Sequence, residues 1–173
     1  MIVIIKFTII EITRRHNFKF KPFISNYIKA NGFKYAKKHS IPCKFYNSTN
    51  QTSFERNCLI ELKKKEIKFL CLAGFMKVLS NNFIKSFHHK IINIHPSLLP
   101  KYKGLDTHER VLKNKEKYSG CTSHYVTSEL DSGKIILQKR IRIGKNETAH
   151  SLKLKILKQE HVLYPKSIIS VFK

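Results

Sequence analysis

Ile91-Ile92-Asn93-Ile94-His95-Pro96-Ser97-Leu98-Leu99-Pro100 reads as a strand that stops abruptly. Side chains two apart on a strand share a face, so Asn93 and His95 point one way and Ile92 and Ile94 the other. Pro96 cannot extend a central strand and Pro100 soon follows, so the strand ends as the polar pair emerges. An amide and an imidazole are thereby held side by side at the carboxyl end of a buried strand, where open α/β sheets bind ligands. The plainer alternative is a strand end whose Asn and His bond only nearby loop backbone.

Upstream of this strand, strand and helix signals alternate. Pro22-Phe23-Ile24 is a short strand leaving into a turn at Ser25-Asn26, and Lys29 to His39 is a helix that Asn31-Gly32 weakens in its first turn. Ile41 to Phe45 is a second short strand, followed by a polar loop from Asn47 to Gln51. Thr52-Ser53-Phe54-Glu55 resembles a capping box, with the Thr52 hydroxyl and the Glu55 carboxylate on free backbone N–H groups. Phe54, Cys58, Leu59 and Leu62 then fall at helical spacing up to about Glu66. Ile67 to Ala73 is an apolar run of the kind a parallel strand covered on both faces requires, and Asn81 to Phe87 makes a short helix. Strand, helix, strand, helix, strand from residue 22 to 95 is the pattern of right-handed βαβ crossovers and of an α/β protein. Before that, Ile2 to Ile5 reads as an edge or first strand, followed by a basic stretch without a clear period. No glycine occurs before Gly32, so no phosphate-cradling glycine loop can be placed there.

Downstream, a helix runs from about Thr107 to Lys113, and two strands cover Gly120 to Val126 and Lys134 to Ile143. The loop between them carries two carboxylates, Glu129 and Asp131. A long helix from Asn146 to about Tyr164 closes the chain, with Leu152, Ile156 and Leu163 on one face and Glu160 among them. A carboxylate on a packed face is either a buried ion pair or a ligand contact. The 173 residues form one domain on this reading, without repeats or low-complexity segments.

Composition narrows the function classes. The 34 Lys and Arg against 11 Asp and Glu give a formal charge of +23, which attracts polyanions such as nucleic acid, phosphorylated metabolites and polyglutamate tails. The basic residues are spread along the whole chain, without an Arg-rich stripe or an aromatic platform, so a general bias towards Lys, Ile and Asn explains them better than a nucleic-acid site. No apolar run approaches the ~18 residues of a membrane span. Cys43, Cys58, Cys71 and Cys121 are widely spaced and form no C-x-x-C pair, which fits reduced thiols in a cytoplasmic protein.

Asn93, His95 and an Asp on a distant loop form an acid–base set without a side-chain nucleophile. The Asn93 amide can donate a hydrogen bond to a developing oxyanion. His95 can do the same and pass a proton, and a nearby carboxylate such as Asp131 favours its imidazolium. The set suits addition of a substrate nucleophile to an activated carbonyl. For Asp131 the plain alternative is a loop turn ahead of Gly133.

Three blocks, Asn93-Ile-His95-Pro-Ser-Leu-Leu-Pro100 with Gly104, Gly120-Cys-Thr-Ser-His-Tyr-Val126, and Glu129-Leu-Asp131-Ser-Gly133-Lys-Ile-Ile-Leu-Gln138, resemble the folate-dependent formyltransferases. Leu72-Ala-Gly-Phe-Met76 and Glu160-His161 with Tyr164-Pro165 extend the likeness over roughly Ser25 to Lys166, closest to the branch that acts on glycinamide ribonucleotide. The resemblance implies a Rossmann-like formyltransferase fold: a mostly parallel central sheet, helices on both faces, and a C-terminal antiparallel portion. It implies transfer of a formyl group from 10-formyltetrahydrofolate to the amine of glycinamide ribonucleotide, with no metal. Asn93 and His95 would stabilise the oxyanion, His95 would relay the proton, and Asp131 would orient and charge His95. Met76, Lys77, Val78 and Leu79 would line the folate pocket, with Thr127, Ser128, Glu129, Leu130 and Asp131 on its other side and Glu160 on the ribonucleotide. Lys77 stands where the family usually has Arg, and Gln51 where relatives place an arginine that contacts folate; the first exchange keeps the charge and loses a bidentate fork. The family's glycine-rich phosphate loop has no counterpart in residues 1 to 24, so weak binding of the ribonucleotide is expected. The competing readings are a formyltetrahydrofolate hydrolase, a methionyl-tRNA formyltransferase and an inactive basic domain that binds nucleic acid.

Overall fold

A computed structural model of the chain describes residues 22–172, so the expected strand at Ile2–Ile5 and the basic stretch behind it lie outside the described residues. Contacts gather the chain into two compact units, Met1–Ile92 and Asn93–Lys173.

In the first unit, β1 (Phe23–Ser25) and β2 (Cys43–Phe45) pair in parallel, Phe23 opposite Cys43 and Ser25 opposite Phe45. Helix α1 (Asn31–Lys38) connects them, which makes the expected βαβ crossover. The helix begins two residues later than its periodicity suggests, at the Asn31-Gly32 pair, and buries Gly32 and Ala36. Helix α2 (Gln51–Lys64) seals its apolar face with Phe54, Cys58 and Leu62, each at most 1% exposed. Strand β3 (Phe69–Ala73) buries Leu70, Cys71 and Leu72 in succession, as an apolar run must. Helix α3 (Asn81–Phe87) keeps the bounds its sequence suggests.

The start of α2 differs from the capping box expected at Thr52. Asn50 is the N-cap, and its side chain accepts from the Ser53 N–H at 2.9 Å. Glu55 turns away from the helix terminus into the interior, where it accepts from the Ser80 N–H at 2.9 Å, from the Ser80 hydroxyl, and from Gln51 Nε2 at 3.0 Å. A buried carboxylate needs several donors, and Ser80, itself the cap of α3, supplies two of them.

Strand β4 (Lys90–His95) contains the boundary between the units. It is followed by α4 (Thr107–Lys113), β5 (Tyr118–Tyr125), β6 (Ile135–Arg142) and α5 (Ala149–Val171). The strand order is β3-β4-β5-β6. Strands β5 and β6 pair antiparallel, Tyr118 opposite Arg142 and Thr122 opposite Gln138, with an irregularity at Ser123/His124. The protein is thus α/β with parallel pairing in its first half and an antiparallel portion near its C-terminal end. Helix α5 buries Leu152, Ile156 and Leu163 along one face, as their spacing requires. It runs past its expected end, through Pro165 to Val171. Proline lacks an N–H and crowds the preceding turn, yet the next turn holds because Tyr164, Ser167 and Ile168 are buried and the Ser167 hydroxyl donates to the Leu163 carbonyl at 3.0 Å. None of the helices among the described residues is long and apolar enough to cross a membrane.

The cap assignment is open to direct measurement. Asn50→Ala is expected to lower unfolding stability by about 1 kcal/mol, whereas Thr52→Ala changes it by less than about 0.5 kcal/mol. Urea unfolding midpoints of the two variants distinguish an Asn50 cap from a Thr52 cap.

Candidate active site

The carboxyl end of β4 is fixed by a buried hydroxyl. Thr122 of β5 donates to the Ser97 carbonyl at 2.6 Å and accepts from the Leu99 N–H at 3.1 Å and from Gln138 Nε2 at 2.8 Å. Gln138 also donates to the Leu99 carbonyl at 3.0 Å. The turn after His95 is therefore held by side chains of the two following strands, and the pleat of β4 presents Asn93 and His95 together.

Around that pair the structure gathers Asp131 and His124. His95 Nε2 lies 2.8 Å from the Tyr102 carbonyl. A carbonyl can only accept, so Nε2 carries a proton. Nδ1 faces Asp131 Oδ2 at 3.3 Å. The Nδ1 contact is an ion pair when the ring carries a proton on both nitrogens. Asp131 Oδ2 also accepts from the Gly104 N–H at 2.9 Å. Both side chains are largely buried, His95 at 7% and Asp131 at 9% exposure, so solvent screens the pair little.

His124 has the opposite protonation pattern. Its Nδ1 donates to the Tyr125 carbonyl at 2.8 Å, which leaves the Nε2 lone pair facing the Asn93 amide nitrogen at 3.3 Å. Burial, with the charges of His95 and Lys103, pushes the His124 pKa below its ordinary value, while the Tyr125 carbonyl and Asp131 act the other way. A neutral His124 thus fixes which way the Asn93 amide points. Motif spacing does not single out His124, which sits within a strand-like run; its alternation with Thr122 on β5 was the available signal.

The loop Thr127–Leu130 is exposed, and Asp131 turns inward from it with φ +46. Gly133 lets the loop close, because a Cβ there would meet the Tyr125 carbonyl oxygen at 1.8 Å. Met76, Lys77, Val78 and Leu79 belong to the first unit. Met76 and Val78 are exposed and Leu79 is buried. Lys77 Nζ donates to the Ser48 carbonyl at 2.6 Å, and Gln51 Nε2 donates to the Val78 carbonyl at 2.8 Å, so both residues that depart from the family pattern serve to order this segment. Glu160 is half-buried on α5, where burial pushes its carboxyl up to about 7, and its charge reinforces the effect of burial on the Cys121 thiol, which is pushed up to about 12. Cys43, Cys58 and Cys121 are free thiols.

Residues 9–168 match the pattern of the formyl transferase family. The chain belongs to the formyl transferase family. This formyl transferase is 34% identical over 148 residues to the human trifunctional purine biosynthetic protein adenosine-3, covering 84% of the chain and 15% of that protein. It is 35% identical over 127 residues to the phosphoribosylglycinamide formyltransferase of Escherichia coli K12, covering 73% of the chain and 59% of that protein. The crystal structure of phosphoribosylglycinamide formyltransferase from Anaplasma phagocytophilum superposes with a TM-score of 0.83 at 40% identity, over 90% of this chain and 76% of that one. The chain thus spans 15% of the human trifunctional relative and 59% of the bacterial one. The resemblance read from the three sequence blocks is borne out, as is the Rossmann-like fold class.

Glu160 gives a pH prediction with a definite sign. Its carboxyl is raised from an ordinary 4.5 to about 7 in the folded protein. The folded state is then least penalised below pH 4.5, and stability is lost as pH rises towards and through 7. Glu160→Gln is expected to be more stable than the parent at pH 8, by an amount on the order of 1–3 kcal/mol, and to match it at pH 4.5. Thermal melts of both proteins across that range test this, and a difference independent of pH contradicts it.

Proposed function

We propose that this formyl transferase moves the formyl group of 10-formyltetrahydrofolate to the amino group of glycinamide ribonucleotide. The observation that carries the reading is the cluster of half-buried Asn93 with the largely buried His95 and Asp131, in which His95 lies between the Tyr102 carbonyl and Asp131. The names of the relatives, phosphoribosylglycinamide formyltransferase among them, support the same chemistry.

When bound, the donor supplies an electrophilic formyl carbonyl. One amide hydrogen of Asn93 is engaged by His124, and the other is aimed as a donor for the oxygen that gains charge as the amine attacks. With both ring nitrogens protonated, His95 adds a positive charge beside that oxygen in a buried, weakly screened site. Because Nε2–H is committed to the Tyr102 carbonyl, the mobile proton is the one between His95 Nδ1 and Asp131 Oδ2; that pair gives it up to the departing folate nitrogen as its bond to the formyl carbon breaks, and is restored by the proton that the attacking amine loses. Asp131 both orients the ring and balances its charge. Within the second unit, the folate contact is proposed at Thr127–Asp131 and the ribonucleotide contact at Glu160. No step requires a covalent adduct with the protein, in keeping with thiols whose pKa is raised by burial at Cys58, to about 11, and at Cys121.

Purified protein given both substrates is expected to release tetrahydrofolate at a rate that depends on the ribonucleotide. His95→Ala and Asn93→Ala should each lower turnover by about 10²–10³ while leaving the fold intact by circular dichroism. Formate release that ignores the ribonucleotide would point to hydrolysis instead, and near-parental rates in both variants would end the assignment of Asn93 and His95.

A further inference from the structure

The His95–Asp131 pair is held at both ends by one three-residue segment. The Tyr102 carbonyl takes the Nε2 proton of His95, and the Gly104 N–H holds the oxygen of Asp131 that faces Nδ1. Tyr102 has φ +57, a left-handed conformation unusual for a large side chain, and this conformation sets the direction of its carbonyl. The side chain is also tied down. Its hydroxyl donates to Glu116 Oε1 at 2.9 Å and accepts from Asn114 Nδ2 at 3.0 Å. Lys101 Nζ lies on the same carboxylate oxygen at 3.0 Å, and these two partners hold the Glu116 carboxyl below its usual range. Asn114 is the C-cap of α4, so the far end of that helix is tied to the segment beside His95. Arg110, on the same helix, donates to the Lys103 and Leu105 carbonyls at 2.6 and 3.1 Å and lies 5.5 Å over the Tyr102 ring. None of these side chains reaches the reacting groups directly.

We propose that the Tyr102 hydroxyl, through Glu116 and Asn114, is a positioning group that keeps the His95 ring with Nε2–H on the Tyr102 carbonyl, leaving Nδ1 as the nitrogen that works with Asp131. An imidazole turned over by 180° would exchange Nδ1 with Cδ2 and Nε2 with Cε1, taking Nε2–H off the Tyr102 carbonyl and Nδ1 off Asp131. The tether removes that alternative by fixing the acceptor rather than by touching the ring. The kinetic consequence rests on the formyl-transfer reading; the ring orientation does not.

The test compares the parent with Tyr102→Phe and Glu116→Ala, each labelled with ¹⁵N-histidine. In the parent, long-range ¹H–¹⁵N spectra should show a His95 Nε2 proton protected from exchange with water. In Tyr102→Phe that proton should exchange roughly fivefold or more faster, and kcat should fall roughly three- to tenfold with KM for both substrates within about twofold. Glu116→Ala, on a half-exposed side chain, should move both readouts in the same direction and decides the matter if Tyr102→Phe does not fold. An unchanged His95 ring signature in the folded variants overturns the proposal, even if kcat falls. A parent without formyl transfer would sink the functional reading alone, because the exchange comparison still decides the tether.

Discussion

The contact on which the site depends is the 3.3 Å approach of His95 Nδ1 to Asp131 Oδ2. The two residues come from elements far apart in the chain, and neither would be held in place by its own strand or loop. Bringing a carboxylate under cover is unfavourable unless its oxygens are hydrogen-bonded, and the Gly104 N–H meets that requirement on the same oxygen that faces the ring. The imidazole has a matching requirement, since a buried N–H needs an acceptor, and the Tyr102 carbonyl provides it at Nε2. Charge burial and hydrogen-bond satisfaction are thus solved together by residues 102 to 104.

The second histidine shows why two imidazoles within one cluster need not share a charge state. His124 has its Nδ1 proton on a carbonyl and its Nε2 lone pair on an amide N–H, so its neutral form satisfies every partner. A second imidazolium beside His95 would meet like charge in a poorly screened place. Its separation of 3.6 Å from Asp131 Oδ1 is too long for a strong hydrogen bond, so the carboxylate remains the partner of His95. The difference between the two rings follows from their backbone acceptors and their distances to one carboxylate.

Much of this was legible in the sequence because it follows from short-range rules. The period of two in Ile92–His95, the stop at Pro96, the unbroken apolar run in β3 and the helical spacing in α2 each express a single local preference. What failed were choices between local rules and tertiary partners. Glu55 satisfies the spacing of a capping box, but Ser80 offers a buried carboxylate two donors from outside the helix, so the cap passed to Asn50. Pro165 obeys the rule for ending a helix, but the buried face of Tyr164, Ser167 and Ile168 carries α5 onward. Tyr102 was illegible as a site residue because it acts through a backbone carbonyl, and His124 offered only its alternation with Thr122 on β5.

The backbone around the pair carries its own cost. Tyr102, Gly104, Asp106 and Asp131 all have positive φ, between +46 and +78, and only one of them is glycine. For the other three the left-handed conformation is unfavourable by about 1–2 kcal/mol each, so the loops would relax if nothing held them. Each is held by a specific bond: Tyr102 through its carbonyl to His95, Asp131 through its carboxylate to Gly104, and Asp106 through its carbonyl to the Arg110 N–H at the start of α4. Two of those bonds belong to the reacting pair itself. The imidazole and carboxylate therefore stabilise the strained loops that position them, and removing either side chain releases the frame as well as the chemistry. Such mutual dependence favours a site that is formed before substrate arrives, since a partly assembled version would keep the strain and lose the bonds that offset it.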